Sequence, residues 1–133
     1  FAGTASKVRN IIETIGSPNL KANADTGNFL LVLENPVESV DNLKDIIGFV
    51  HFKDFKKLNE PNGKEAYTAI DGTLYQGTPI GQGDVELEKI VEILGEAGYT
   101  GYLSIEYEGI GDPIKETAQS IDYLKDILNK RNR

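Results

Sequence analysis

The sequence contains no cysteine and a single histidine. Without cysteine the chain can form neither a disulfide bond nor a thiolate metal site. Basic residues are also in the minority, with 14 Lys and Arg against 21 Asp and Glu. Because a net charge of −7 repels a phosphate backbone, we expect no nucleic-acid partner. No apolar run is long enough to span a bilayer, so we expect no membrane partner either.

The sequence shows no signal-peptide pattern, and we therefore expect a cytoplasmic protein. The first residue is Phe1 and not Met. We therefore expect the natural start of the gene product to lie upstream of this residue.

Hydrophobic periodicity predicts helices and strands that alternate along the chain. Helical spacing is found in residues 4–15, from Asn35-Pro36 onward, after Asp84, and from Asp112-Pro113 onward. Three short segments have the character of strands, at residues 20–25, 47–52 and 102–107. Strands that alternate with helices are expected to be parallel and joined by right-handed crossovers. The pattern predicts an α/β fold with about three parallel strands and four helices.

Residues 53–83 interrupt this alternation, because they lack a helical period and contain repeated turn signals. Tyr67–Ile70 and Thr73–Gln76 flank Asp71-Gly72, which is the pattern of a hairpin with a two-residue turn. We expect a hairpin excursion at about residues 66–77 on one face of the domain. Loops of this length usually carry function or are mobile.

Three parallel strands are too few for a closed structure. They cannot form a barrel, and the sheet that they do form keeps two unpaired apolar edges. We therefore expect residues 1–133 to form one partial domain, which is the C-terminal portion of a (β/α)₈ barrel without its N-terminal strands.

Three polar residues lie at the ends of the predicted strands, namely Asp25, His51 and Glu106. The carboxyl ends of parallel strands meet at one edge of a sheet, and functional sites assemble there. One imidazole and two carboxylates suit a divalent cation such as Mn²⁺, Mg²⁺, Co²⁺ or Zn²⁺. Each residue alone is explained as well by a structural role: a hydrogen-bonded His51, a turn at Asp25, and an exposed pair of Glu106 with Glu108. Their coincidence on three strand ends makes a metal site as well supported as these structural roles.

Four segments resemble, in order, the last three βα units of the xylose isomerase-like sugar isomerase/epimerase barrels: Asn23–Phe29, Val50–Asp54, Ile80–Asp84 and Gly98–Glu106. The resemblance implies a parent enzyme that isomerises or epimerises a sugar or a sugar-like polyol. The reaction would be proton transfer next to a carbonyl, with a small-molecule sugar as substrate. We expect the isolated chain to be inactive.

The resemblance also implies a ligand set. In that superfamily a divalent metal ion is held by a Glu from an earlier strand, an Asp, a His and a final Glu. The last three would be Asp25, His51 and Glu106, with Glu106 also acting as a catalytic acid or base. The first Glu would lie upstream of Phe1.

Three further residues are implied to bind substrate, namely Asn28, Lys53 and Asp54. Many relatives carry a His where this sequence has Asn28, which argues against a site with several zinc ions. Asn28 could hydrogen-bond a substrate hydroxyl or cap the next helix. Lys53 and Asp54 could contact substrate and orient the site, or they could simply begin a solvated loop.

Three alternatives stay open at this point. An inosose dehydratase-like lyase would use the same metal and the same proton abstraction. An endonuclease IV-like metal hydrolase would favour additional His ligands and a basic surface, which this chain lacks. The third alternative is not an enzyme but a half-barrel fragment that forms a homo-oligomer through its exposed strand edges.

Overall fold

The computed structural model describes residues 3–61 and 65–131 of the chain. Within these ranges the first helix, α1, spans Ala5–Ile15 and begins as predicted at an N-cap Thr4, whose side chain accepts a hydrogen bond from the backbone N–H of Lys7. Helix α2 (Asn28–Leu31) is short, and helix α3 spans Pro36–Leu43. The side chain of Asn35 caps α3 by accepting hydrogen bonds from two backbone amides of its first turn. The starts that the sequence indicates for α1 and α3 are thus confirmed.

Three strands form a parallel sheet in the order β1–β2–β6. Strand β1 spans Ala22–Asp25, β2 spans Ile47–Phe52 and β6 spans Leu103–Ile105. Helix α4 (Leu87–Glu96) precedes β6, and α5 (Pro113–Arg131) follows it. The predicted α/β alternation and the three parallel strands are confirmed, although β1 and β6 are shorter than expected. The described residues contain five helices and not four, because the four-residue α2 has no periodic signal of its own.

The core lies between this sheet and the helices. Val50 and Phe52 of β2 are fully buried and belong to one cluster with Val40 of α3 and Ile90 of α4. Because side chains alternate along a strand, His51 lies on the face opposite Val50 and Phe52. That second face is partly open, and Phe49 is 36% exposed on it. In the described chain β1 and β6 each have one strand neighbour, so the sheet is open at both edges.

Three strands within residues 54–58, 67–68 and 74–78 form a second sheet that the sequence pattern predicts only in part. Strand β3 (Asp54–Leu58) pairs antiparallel with β5 (Leu74–Thr78), and β5 pairs antiparallel with β4 (Tyr67–Thr68). Strand β3 is not among the strands that the sequence pattern predicts. The predicted hairpin is present. The prediction of a two-residue turn is wrong, because the backbone N–H of Ala69 donates to the carbonyl of Thr73 and leaves three residues in the loop.

Among the described helices, none combines the length and the apolar character needed to cross a bilayer. Self-association through the open strand edges remains a prediction.

Candidate metal centre

The register of the parallel sheet places the three predicted ligands side by side. Asp25 is the register partner of His51 across β1 and β2, and the backbone N–H of Glu106 donates to the carbonyl of Phe52 at the end of β2. Their ligand atoms all lie within 4.8 Å of one another. The structure therefore brings Asp25, His51 and Glu106 together at the carboxyl edge of the sheet, where sites of parallel α/β folds assemble.

Asp25 both shapes a turn and faces the site. Its Oδ1 accepts hydrogen bonds from the backbone amides of Gly27 (3.2 Å) and Asn28 (3.0 Å). Its Oδ2 lies 3.8 Å from Nδ1 of His51 and 3.2 Å from Nζ of Lys53. The turn-forming role and a ligand role thus belong to different oxygens of one carboxylate and do not exclude each other.

Asn28 is the first residue of α2 and does not cap that helix, so the capping alternative is wrong. Its side-chain Nδ2 instead donates to Oδ2 of Asp25 at 2.8 Å. This hydrogen bond fixes the orientation of the carboxylate oxygen that faces His51. Asn28 is exposed, which leaves the rest of its amide accessible from solvent.

Glu106 provides the observation that best fits a bound cation. Its Oε2 lies 2.9 Å from Nδ1 of His51 and 3.0 Å from Nζ of Lys53. The atom is buried, yet no donor in the described part of the chain reaches it with hydrogen-bond geometry. A buried carboxylate oxygen without a well-formed hydrogen bond is rare and calls for an explanation. With one imidazole and two carboxylates as donors, the site fits a divalent cation of the Mn²⁺, Mg²⁺, Co²⁺ or Zn²⁺ type.

Lys53 is buried in the centre of this cluster. Only 3% of the residue is exposed, so the alternative of a solvated loop start is wrong. Its Nζ contacts Oδ2 of Asp25 (3.2 Å), Oε2 of Glu106 (3.0 Å) and Oε2 of Glu108 (2.7 Å). Burial by itself lowers the pKa of Lys53, but these three carboxylates outweigh burial, so the pKa is raised and the side chain stays an ammonium.

The ammonium also acts on Glu106. Burial alone raises the pKa of this carboxyl, but the adjacent Lys53 and then His51 outweigh burial, and the pKa is lowered. Glu106 is therefore ionised near neutral pH and available as a base or a ligand.

Asp54 lies beside this cluster in sequence but has another set of partners. Its Oδ2 accepts hydrogen bonds from the backbone amides of Gly81 (2.9 Å) and Gly83 (2.8 Å), and its Oδ1 accepts one from Val85 (3.1 Å). Only 1% of the residue is exposed, so the solvated alternative is wrong here too. Asp54 fixes the segment between β5 and α4, and its predicted contact with substrate remains untested.

Sequence reasoning missed two residues that hold Lys53 in place. The hydroxyl of Thr26 donates to the carbonyl of Lys53 (2.6 Å) and accepts from its backbone N–H (2.8 Å). Gly27 leaves room for the lysine stem, because a Cβ at this position would lie 2.9 Å from Cγ of Lys53. A Thr and a Gly after a strand end are too common to have been recognised from one sequence.

In the sequence Glu108 stands out only as a neighbour of Glu106. In the structure it belongs to the site, because its Oε2 lies 2.7 Å from Nζ of Lys53. Burial raises the pKa of Tyr67 in strand β4, and the charge of Glu108 and a hydrogen bond between the two side chains raise it further. Residues two apart in an extended segment point to the same side, and this spacing was a usable signal for Glu108.

Comparisons with known proteins agree with this geometry. The family described as "Xylose isomerase-like TIM barrel" matches residues 1–127. The chain belongs to this family. The prediction of a partial TIM barrel is confirmed, with the described residues forming an open sheet and not a closed barrel.

Two curated relatives illustrate the sequence similarity. An uncharacterized protein of Methanocaldococcus jannaschii is 30% identical over 129 residues, which are 96% of this chain and 39% of the relative. An inosose dehydratase of Clostridium botulinum is 30% identical over 107 residues, covering 77% of this chain and 36% of the relative. The chain thus spans well under half the length of the curated relatives that it matches.

Two solved structures illustrate the similarity of fold. A xylose isomerase domain protein from Planctomyces limnophilus superposes with a TM-score of 0.77 at 29% identity, over 97% of this chain and 45% of that one. A D-tagatose 3-epimerase-like protein superposes with a TM-score of 0.69 at 30% identity, over 97% of this chain and 42% of that one. The family of this chain therefore includes proteins described as sugar isomerases, epimerases and inosose dehydratases.

Proposed function

We propose that this chain carries three of the four ligands of a divalent-metal site in an enzyme that isomerises or epimerises a sugar or a sugar-like polyol. The observation that carries the proposal is the convergence of Asp25, His51 and Glu106, whose ligand atoms lie within 4.8 Å of one another at the carboxyl edge of the sheet. The similarity to a D-tagatose 3-epimerase-like protein supports the substrate class. The fourth ligand would be the Glu that the family resemblance places upstream of Phe1.

The reaction would be proton transfer at a carbon next to a carbonyl. A bound divalent cation supplies Lewis-acid polarisation of the substrate oxygens. Glu106 accepts the proton, because it is ionised near neutral pH and its side chain is 36% exposed. Lys53 contributes a buried positive charge to the site, which favours negative charge that develops on a substrate oxygen there. Asn28 holds the orientation of Asp25 and offers its exposed amide to a substrate hydroxyl.

One experiment tests this function in the complete gene product. Keto sugars and inososes are incubated in deuterated water with Mn²⁺, and incorporation of deuterium next to the carbonyl is followed by NMR. We expect exchange that depends on the metal and falls at least about 100-fold in Glu106→Gln, which removes the base. Glu38→Gln, on the first turn of α3, is the matched control and should exchange normally. Exchange that persists in Glu106→Gln, or exchange that is unaffected by chelation, contradicts the proposal.

A dehydratase is the second candidate, and the similarity to an inosose dehydratase favours it. Both reactions begin with the same proton abstraction, but a dehydratase then expels a hydroxide from the neighbouring carbon. Mass spectrometry of the same incubations separates the two. An epimerase leaves the product mass unchanged apart from the deuterium, whereas a dehydratase removes one water.

The 133-residue chain alone would lack the upstream Glu. We expect it to show no turnover, and measurable epimerase activity from this chain contradicts the assignment of the fourth ligand.

A further inference from the structure

The ammonium group of Lys53 contacts the same carboxylate oxygens that the proposed function assigns to the metal ion. Its Nζ is 3.2 Å from Oδ2 of Asp25 and 3.0 Å from Oε2 of Glu106. Two anionic ligands held close together repel each other, and a buried cation between them relieves that repulsion. Lys53 therefore already provides, from within the chain, part of the charge compensation that a metal ion would bring.

A divalent cation that binds these two oxygens competes with the ammonium for them. Repulsion between a doubly charged ion and an ammonium a few ångströms away is strong, even at the effective dielectric constant of a protein. A buried ammonium that loses both partners needs another acceptor, because an unpaired buried charge is costly. The site must therefore hold a carboxylate that receives Lys53 when a metal ion binds.

Glu108 has the properties of this acceptor. It makes the shortest of the three contacts with Nζ, at 2.7 Å, and it is not one of the proposed ligands. Its backbone is fixed by a close approach of the two sheets: Gly77 of β5 forms a bridge with Gly109, and a Cβ on Gly77 would lie 2.0 Å from the carbonyl oxygen of Glu108. Tyr67 of β4 is close enough to feel this carboxylate, because the charge of Glu108 helps burial to raise the pKa of Tyr67.

We propose that Lys53 is the internal counter-ion of the metal site and that metal binding shifts its ammonium from Asp25 and Glu106 onto Glu108. This inference rests on the proposed function for the identity of the metal ligands. It assigns the antiparallel sheet a role in the site, since Gly77 fixes the backbone of the acceptor. Lys53 and Glu108 are positioning residues in this scheme, and together they set the metal affinity.

A double-mutant cycle on metal affinity tests the proposal. Binding of Mn²⁺ to the complete gene product, which would supply the upstream Glu, is measured by isothermal titration calorimetry for wild type, Lys53→Met, Glu108→Gln and the double variant. Lys53→Met should bind Mn²⁺ about tenfold more tightly or better, because the competing charge is gone. Glu108→Gln should bind about three- to tenfold more weakly, because Lys53 loses its alternative partner. In the Lys53→Met background the same Glu108→Gln change should alter affinity less than about twofold.

The cycle separates this scheme from a general effect of charge. If Glu108 acted only as a nearby negative charge, its removal would weaken Mn²⁺ binding equally in both backgrounds. Lys56→Met is the matched control, because Lys56 forms an ion pair with Asp84 outside the site, and its affinity should stay within about twofold of wild type. Equal effects of Glu108→Gln in the two backgrounds, or unchanged affinity in Lys53→Met, overturn the proposal.

A measurement on the wild-type chain keeps the proposal testable if Lys53→Met does not fold. In a crystal structure with Mn²⁺ bound, Nζ should be paired with Glu108 and out of ion-pair contact with Asp25 and Glu106. If Nζ of Lys53 still contacts Asp25 or Glu106 beside the bound metal ion, the inference is overturned and the proposed function is left intact. If the complete wild-type gene product binds no divalent cation, the metal site of the proposed function fails and this inference fails with it.

Discussion

The side chain of Thr26 satisfies both backbone groups of Lys53, donating to its carbonyl at 2.6 Å and accepting from its N–H at 2.8 Å. Thr26 is fully buried, and its own N–H donates to the carbonyl of His51. One hydroxyl thus connects the end of β1 to the residue that follows β2. This connection fixes the backbone from which both His51 and Lys53 project into the site.

Thr26→Val removes this hydroxyl and keeps the shape of the side chain. Two buried backbone groups of Lys53 then lose their partner, at about 1–3 kcal/mol for each group. We expect the free energy of unfolding, measured by urea denaturation, to fall by about 2–4 kcal/mol. Thr68→Val on the exposed side of β4 is the matched control and should change stability by less than about 0.5 kcal/mol. Similar losses in the two variants would contradict the role given to Thr26.

Gly77→Ala tests the close approach of the antiparallel sheet to the segment that carries Glu108. The added Cβ would lie 2.0 Å from the carbonyl oxygen of Glu108, a distance that real Cβ atoms do not adopt. The two backbones must separate, and we expect a loss of about 1–3 kcal/mol in the free energy of unfolding. NMR spectra should show shifts at both Glu108 and Lys53. Gly3→Ala is the control, since its Cβ would meet Val32 at an acceptable 3.4 Å. Shifts confined to residue 77 would argue against a structural link between Gly77 and the Glu108–Lys53 pair.

Glu106 should give the metal-free protein a measurable dependence on pH. Its pKa is lowered in the folded chain, so between that value and the unfolded pKa of 4.5 the unfolded chain binds more protons. The stabilisation from ionised Glu106 is therefore fully present above about pH 4.5 and is lost as the pH falls through the folded pKa. The side chain is 36% exposed, and solvent screening keeps the effect below about 1 kcal/mol.

The measurement is the difference in unfolding free energy between wild type and Glu106→Gln, with a chelator present, from pH 7 to pH 3. We expect wild type to lose stability relative to the variant on acidification. A difference that is constant with pH, or one that grows as the pH falls, would show that Lys53 does not hold Glu106 ionised.

Local chemistry explains which parts of this structure were predictable. The cap residues Thr4 and Asn35 act within one turn of their own helices, so the sequence around them sufficed to predict α1 and α3. The sequence predicts the three candidate ligands Asp25, His51 and Glu106 because the strands that carry them have clear hydrophobic patterns. Functional sites of parallel α/β folds also assemble at the carboxyl edge of the sheet, where these residues lie.

The missed features depend on contacts between distant residues. Strand β3 has no apolar alternation of its own, and it is a strand because it pairs with β5 about twenty residues later. The burial of Lys53 follows from Thr26 and from Glu108, which lie 27 residues before it and 55 residues after it. No local pattern reveals that a lysine in a run of charged residues is the most buried charge of the site.

Metal binding by the complete gene product, which would include the upstream Glu, tests the central claim most directly. Mn²⁺ is titrated calorimetrically into wild type, Asp25→Asn, His51→Gln and, as a control outside the site, Asp71→Asn at the hairpin turn. We expect one ion per chain for wild type and for Asp71→Asn, with affinity reduced at least about tenfold in Asp25→Asn and His51→Gln. Absence of binding to wild type, or equal binding to all four proteins, would contradict a metal centre at Asp25, His51 and Glu106.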